Sequence, residues 1–147
     1  MLTPSTNRHN FAQLVLSVAR LWRRAADKVL DDYGLSHATA MPLVTLSRLG
    51  DSTRQGVIAE QLGLEGPSLV RVIDLLLAEG LVTRMEDPTD RRAKILSLTE
   101  SGRQRVVEIE RILGDLRSDL LAEFDIAEFQ AAETLLRRLE TKLLGQS

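Results

Sequence analysis

Five cations carry the binding chemistry legible in this chain, and three of them fall in one short run. Arg91, Arg92 and Lys94 follow Asp87-Pro88-Thr89-Asp90 at once, and that segment is turn chemistry, so the cations belong to the tip of a hairpin. Guanidinium groups at such a tip suit a DNA minor groove, whose negative potential is strongest where the groove is narrow. Asp90 would orient an arginine there through a charge-assisted pair, and Asp87 either does the same or begins the turn. The fourth cation, Arg71, sits with Ser68 and Val70 in GPSLVRVIDLLLAEG. On a helix in the major groove, Ser68 bonds a phosphate or base edge and Val70 touches a thymine methyl. Arg71 pairs there with guanine, a bidentate contact worth about 1–3 kcal/mol of discrimination. Arg54 and Lys94 are candidates for phosphate contact, which positions a protein without reading sequence. The plainer alternative at each place is a solvated surface charge or, for Ser68, an ordinary first-turn polar residue.

The elements that must position these groups follow from spacing. Leu69, Val72, Ile73 and Leu76 recur at helical intervals, which buries one face and leaves Ser68, Val70, Arg71 and Asp74 off it. Pro67 suits the first turn and Gly80 the left-handed residue that ends the helix. Leu81, Val82 and Thr83 start an extended run, and Ile95, Leu96 and Leu98 continue one beyond the turn. Upstream, Ser52 with Gln55 is a capping-box pattern opening a short helix through Val57, Ile58, Ala59 and Leu62, with Gly63-Leu64 as the following turn. Two helices so joined are a helix-turn-helix, and the hairpin behind them makes the outline a winged helix.

The remainder is helical. Residues 1–8 are polar with an early proline and read as a loose arm. From His9, the positions Phe11, Leu14, Val15, Val18, Leu21, Trp22, Ala25, Val29, Leu30 and Tyr33 keep helical spacing until Gly34. Ser36 is a candidate N-cap for a second helix over Thr39–Leu49, with Pro42 inside it and Gly50 after it. Thr99 and Gly102 open another, carrying Val106, Ile109, Leu113, Leu116, Leu120 and Phe124. Asp125 caps the last, whose stripe is Phe129, Ala132, Leu135, Leu136, Leu139 and Leu143. The first and the two last helices hold more apolar surface than a small winged domain covers, so all three are expected to meet their copies in a second subunit. The expected fold is mainly α, a winged helix-turn-helix with a small two- to three-stranded β wing and a helical dimerisation region. A single domain spans 1–147, with dimerisation through 8–34 and 99–147 and DNA binding through 36–98, the wing being 81–98.

Composition bounds the alternatives. The 147 residues are 44% hydrophobic and 27% charged, which is globular composition, and only 3% aromatic, which suits Leu-rich helices. A net charge of −2 favours no polyanion as a whole, so DNA binding must come from local clustering of arginine. The absence of cysteine excludes disulfides, cysteine-ligated zinc and thiol sensing. The start MLTPSTNRHN lacks an apolar core of signal-peptide length and no stretch approaches a membrane span, so a cytoplasmic protein without membrane contact is expected. Catalysis is rejected, since there is no convergent nucleophile, Gly-rich phosphate loop or metal-spacing motif.

The runs PSLVRVIDLLLAEGLVTR and DPTDRRAKILSLTESG resemble the signature of MarR-type transcriptional regulators, including the branch around SlyA. The order of helices, wing and C-terminal helices is similar over most of the chain. The resemblance implies a homodimer on double-stranded DNA, usually a repressor of nearby genes, often released by a phenolic or aromatic acid, with no cofactor. Two recognition helices about 34–36 Å apart would then read a pseudo-palindromic operator. The alternative within this class is a regulator or nucleoid counter-silencer with no small-molecule effector. The family places a ligand pocket where the first two helices and the start of the fifth meet the winged domain. Trp22, His37, Met41 and Val44 are the residues to examine there, with Arg20, Arg23 or Arg24 as partners for a carboxylate. The apolar ones serve equally as core or dimer packing, and His37 as a surface residue at a helix start. His9 and His37 are the only histidines and no tight carboxylate cluster accompanies them, which disfavours zinc sensing.

Overall fold

Leu69, Ile73 and Leu76 turn one face of a helix into the buried apolar core, and the elements around it pack against that face. In a computed structural model describing residues 3–50 and 52–146, the elements are α1 (Pro4–Asp32), α2 (His37–Leu49), β1 (Thr53–Arg54), α3 (Gln55–Leu62), α4 (Gly66–Ala78), β2 (Val82–Asp87), β3 (Asp90–Leu98), α5 (Glu100–Leu121) and α6 (Ile126–Leu144). The strands form one antiparallel sheet in the order β1-β3-β2, so the wing has three strands. This is the mainly helical winged helix-turn-helix expected.

Two compact units divide the chain, Met1–Leu116 and Arg117–Ser147. The first holds the core. Leu30 of α1, Leu43 and Leu46 of α2, Ile58 of α3, Ile73 and Leu76 of α4, Leu96 of β3 and Ile109 of α5 are each at most 2% exposed. One joint in this unit accounts for the run Leu98-Thr99-Glu100-Ser101-Gly102. Leu98 is buried, the Thr99 hydroxyl donates to the Gly80 carbonyl at 2.6 Å, and it accepts from the Gly102 N–H at 3.0 Å. Thr99 N–H meanwhile donates to the Leu81 carbonyl at 3.1 Å, and a Cβ on Gly102 would overlap that same carbonyl oxygen. The motif is thus a weld between the end of α4, the start of β2 and the start of α5.

In the second unit no residue of α6 is buried. The helix begins as its sequence predicts. Asp125 accepts from Glu128 N–H at 2.9 Å, and Glu128 accepts in return from Asp125 N–H at 3.0 Å, a complete capping box. Phe124 and Phe129 meet edge-to-face with centroids 6.4 Å apart.

Four local expectations are corrected. Residues 4–8, expected in a loose arm, are helical: Thr3 caps α1 by accepting from Thr6 N–H at 3.2 Å, and Pro4 takes the first helical position. Met1 and Leu2 lie outside the described residues. The Ser52–Gln55 capping box does not form. Ser52 adopts a left-handed φ of 65°, the Thr53 hydroxyl bonds the Gly50 carbonyl at 2.8 Å, and Thr53–Arg54 pair with Leu96 and Ile95 instead, so α3 starts at Gln55. Helix α2 starts at His37 rather than Thr39, with Ser36 in the N-cap position but its side chain making no capping bond. Phe124 lies past the end of α5, which stops at Leu121.

Candidate nucleic-acid interface

The wing is built by pairing β2 to β3 in register from Val82↔Leu98 to Glu86↔Lys94, with an irregularity at Glu86/Asp87 that closes the turn. The Asp-Pro-Thr-Asp turn is organised by its two carboxylates. Asp90 Oδ1 accepts from the Arg92 backbone N–H at 3.1 Å and from its Nε at 3.4 Å, which aims a side chain that is 94% exposed. Arg91 is exposed beside it and has no ion pair among the described residues. Asp87 does the other half of the work. Its Oδ1 accepts from the Thr89 N–H at 2.8 Å and the Thr89 hydroxyl at 2.7 Å, while its Oδ2 accepts from Arg54 Nε at 2.7 Å. The Thr89 N–H, then its hydroxyl and Arg54, hold the Asp87 carboxyl below the usual range against the opposing effect of burial.

One groove of about 530 Å³ brings the wing and the helix-turn-helix together. Arg54, Gln55 and Val57 at the start of α3, Gly66, Leu69 and Val70 at the start of α4, and Arg92, Ala93 and Lys94 of β3 line it. Helix α3 begins at this groove without a side-chain cap. Lys94 is part-neutralised by Glu86 across the strand at 3.4 Å, and Arg54 is engaged by Asp87. Arg71 is exposed on α4, without an ion pair among the described residues, and Pro67, Ser68 and Val70 are exposed with it. Asp74, one turn on, reaches Arg84 of β2 at 3.6 Å and so ties the wing's base to α4. Of the nine expected DNA-facing residues, Arg54, Val70, Arg92 and Lys94 line this groove, Pro67, Arg71, Asp90 and Arg91 do not, and Ser68 lines a second cavity instead.

That second cavity, about 350 Å³, lies between α1, α2, α3 and α4. Its walls are Ala38, Met41, Pro42, Leu62, Leu64 and Val72, with Arg23, His37, Gln61 and Ser68 as polar groups. Of the residues expected at a ligand site, Arg23, His37 and Met41 converge here, whereas Arg20, Trp22, Arg24 and Val44 do not line it. Val44 packs against the core. Leu62, Leu64, Gln61 and Val72 are additions that sequence reasoning misses, because nothing local in the chain pairs α3 with α1. His37 Nδ1 stands 3.5 Å from Asp27, and burial lowers its pKa, with Asp27 opposing and Arg23 adding to the shift. A wider depression of about 600 Å³ shares Arg23 and His37 and adds Lys28, but Asp27 and Asp31 balance its two cations, so it offers an anion no net positive charge.

Similarity over most of the chain decides what kind of protein carries this arrangement. A crystal structure of the transcriptional regulator PA3341 is 36% identical and superposes with a TM-score of 0.83, covering 92% of this chain and 98% of the other. A MarR family profile matches residues 33–93, the second helix through the wing. The chain belongs to the MarR family of DNA-binding transcriptional regulators. Two more distant structures share the fold of this MarR-family chain. A mutant MarR from E. coli, solved in complex with operator DNA, is 21% identical over 94% of this chain and 99% of its own, at a TM-score of 0.77. CouR from Rhodococcus jostii RHA1, solved with p-coumaroyl-CoA, is 24% identical over 88% and 90%, at 0.75. Among the described residues of this regulator, no helix is long and apolar enough to cross a membrane.

Proposed function

We propose that this regulator is a cytoplasmic homodimer that represses transcription from a pseudo-palindromic operator and is released by a small aromatic acid. The observation that carries the DNA reading is the shared groove, where Arg92 and Lys94 of the wing and Val70 of α4 line one surface and the exposed Arg71 follows on α4. Helix α4 reads the major groove through Ser68, Val70 and Arg71, and the wing arginines reach the adjoining minor groove. Dimerisation runs through 8–34 and 99–147, because α1, α5 and α6 each carry large apolar side chains their own unit leaves exposed: Leu14 and Leu21, Val107, and Leu135 with Leu136. The mobility shift of a fragment of the chain's own promoter tests the wing. Arg91→Ala with Arg92→Ala is expected to weaken binding about tenfold or more and to flatten its salt dependence. Undiminished binding by the double variant removes the wing from the interface.

The aromatic-acid reading is supported by the α1–α4 cavity, whose size lies within the range of small-ligand pockets and whose apolar walls end at Arg23 and His37. Such a ligand releases DNA only if it binds the DNA-incompatible form of the dimer more tightly than the compatible one. Ser68 and Val72 give the cavity a wall on α4 itself, so occupancy bears directly on the helix proposed to read DNA. Calorimetry with salicylate, on the wild type and on Arg23→Ala, tests it. Heat that is lost in the variant supports the site, and DNA binding indifferent to every aromatic acid tried favours a regulator without an effector.

A further inference from the structure

Asp87 is the only charged side chain that is buried among the described residues, and all of its bonds cross from the wing turn to somewhere else or close that turn. Oδ2 holds Arg54, whose Nη2 stands 2.6 Å away, across 33 residues of sequence. Oδ1 holds both the backbone and the hydroxyl of Thr89, and the Arg54 Nη2 also reaches that hydroxyl at 3.4 Å. Arg54 is the last residue before α3 and pairs through its backbone with Ile95 of β3. Three chain segments therefore meet on a single carboxylate: the entry to the helix-turn-helix, the end of β2 and the turn that presents Arg91 and Arg92. A buried carboxylate whose two oxygens both accept from directed donors is costly to strip of them, so the donors and the turn are held in one arrangement.

We propose that Asp87 is a positioning residue for DNA binding, which fixes the wing arginines relative to the helix-turn-helix by clamping Arg54 and Thr89. The inference rests on the DNA-binding reading of the same groove. It has an unusual sign. Asp87 places a negative charge beside the surface that meets phosphates, so long-range electrostatics alone says that Asp87→Asn tightens binding. The clamp says the reverse. Losing the charged bond to Arg54 loosens the turn, and the arginines must then be ordered at the moment of binding.

The test is fluorescence anisotropy on the promoter fragment with wild type, Asp87→Asn and Thr89→Ala, at a temperature where melting curves show each variant folded. Asp87→Asn is expected to weaken binding about tenfold, the order set by one hydrogen bond to a charged group. Thr89→Ala, which removes one exposed hydroxyl from the node, is expected to act in the same direction by a smaller factor and stands in if Asp87→Asn does not fold. Amide hydrogen exchange at 89–92 in the free protein should quicken in both. Unchanged or tighter DNA binding by the folded variants overturns the proposal, whatever happens to the melting temperature. A wild-type chain that binds no fragment of its promoter removes the DNA-binding reading, and this inference with it.

Discussion

Helices α4 and α6 carry similar apolar stripes and meet opposite fates. In α4, Leu69, Ile73 and Leu76 are buried by the chain's own strands and helices, whereas in α6 Leu135, Leu136 and Leu143 are between 46% and 58% exposed. Periodicity says that a face is to be covered and not by what. A helix whose stripe is covered within the chain is part of a fold, and one whose stripe is not is a request for a partner. The largest expected effect in the molecule tests that distinction. Leu135→Glu with Leu136→Glu should convert the proposed dimer to monomer in sedimentation equilibrium and weaken operator binding at least about a hundredfold. Each leucine withdrawn from water contributes about 1.5–3 kcal/mol, and a symmetric dimer contains each twice. The melting of the winged body should survive the change. A dimer of unaltered mass would show that α6 is not its glue.

The same contrast governs which elements are legible in the chain alone. The wing, α4 and the C-terminal cap are legible because their determinants are local: a stripe, a glycine at positive φ such as Gly80, an Asp-Pro-Thr-Asp turn, an Asp125-to-Glu128 box. The start of α1 escapes the pattern although Thr3-Pro4 is a cap followed by the proline that a first turn accepts, because the residues behind it are polar and show no stripe. Strand β1 escapes it for a different reason. Two residues have no period, and Thr53–Arg54 become a strand only through β3, some forty residues on. Arg54 reads as a free phosphate contact for the same cause, since its partner Asp87 is just as remote. Of the cavity, the α1 and α2 side is legible in part, and the α3 and α4 side, including Ser68, depends on tertiary packing alone.

A smaller effect comes from the covered region, where the contrast predicts damage that mass measurements do not see. Gly102→Ala puts a methyl group on the Leu81 carbonyl oxygen, a backbone atom already bonded to Thr99. Either α5 or β2 must shift, at a cost of about 1–3 kcal/mol by the usual scale of overpacking. Denaturant unfolding should show that loss while the proposed dimer persists at high protein concentration. An unfolding midpoint equal to wild type would mean that the weld yields without resistance.

Between a covered face and an uncovered one stands the α1–α4 cavity, walled by the chain yet hollow, and His37 offers the finest test of whether the hollow is for an anion. Burial depresses the His37 pKa below its ordinary value near 6.5, and the nearby Arg23 adds to the shift while Asp27 opposes it. A depressed folded-state pKa means that, below about 6.5, the unfolded chain takes up a proton more readily than the folded one, so the free protein loses stability as pH falls through that window. A carboxylate in the cavity reverses the preference, because it sits beside the cation that acid creates. Salicylate affinity is therefore expected to rise a few-fold as pH falls from about 7.5 to 5.5, while the melting temperature of the free protein declines over the same range. His37→Asn should flatten the affinity slope and leave Arg23 to supply the remaining attraction. An affinity independent of pH in the wild type would place the anion away from His37, and a slope that persists in the variant would assign it to some other titrating group.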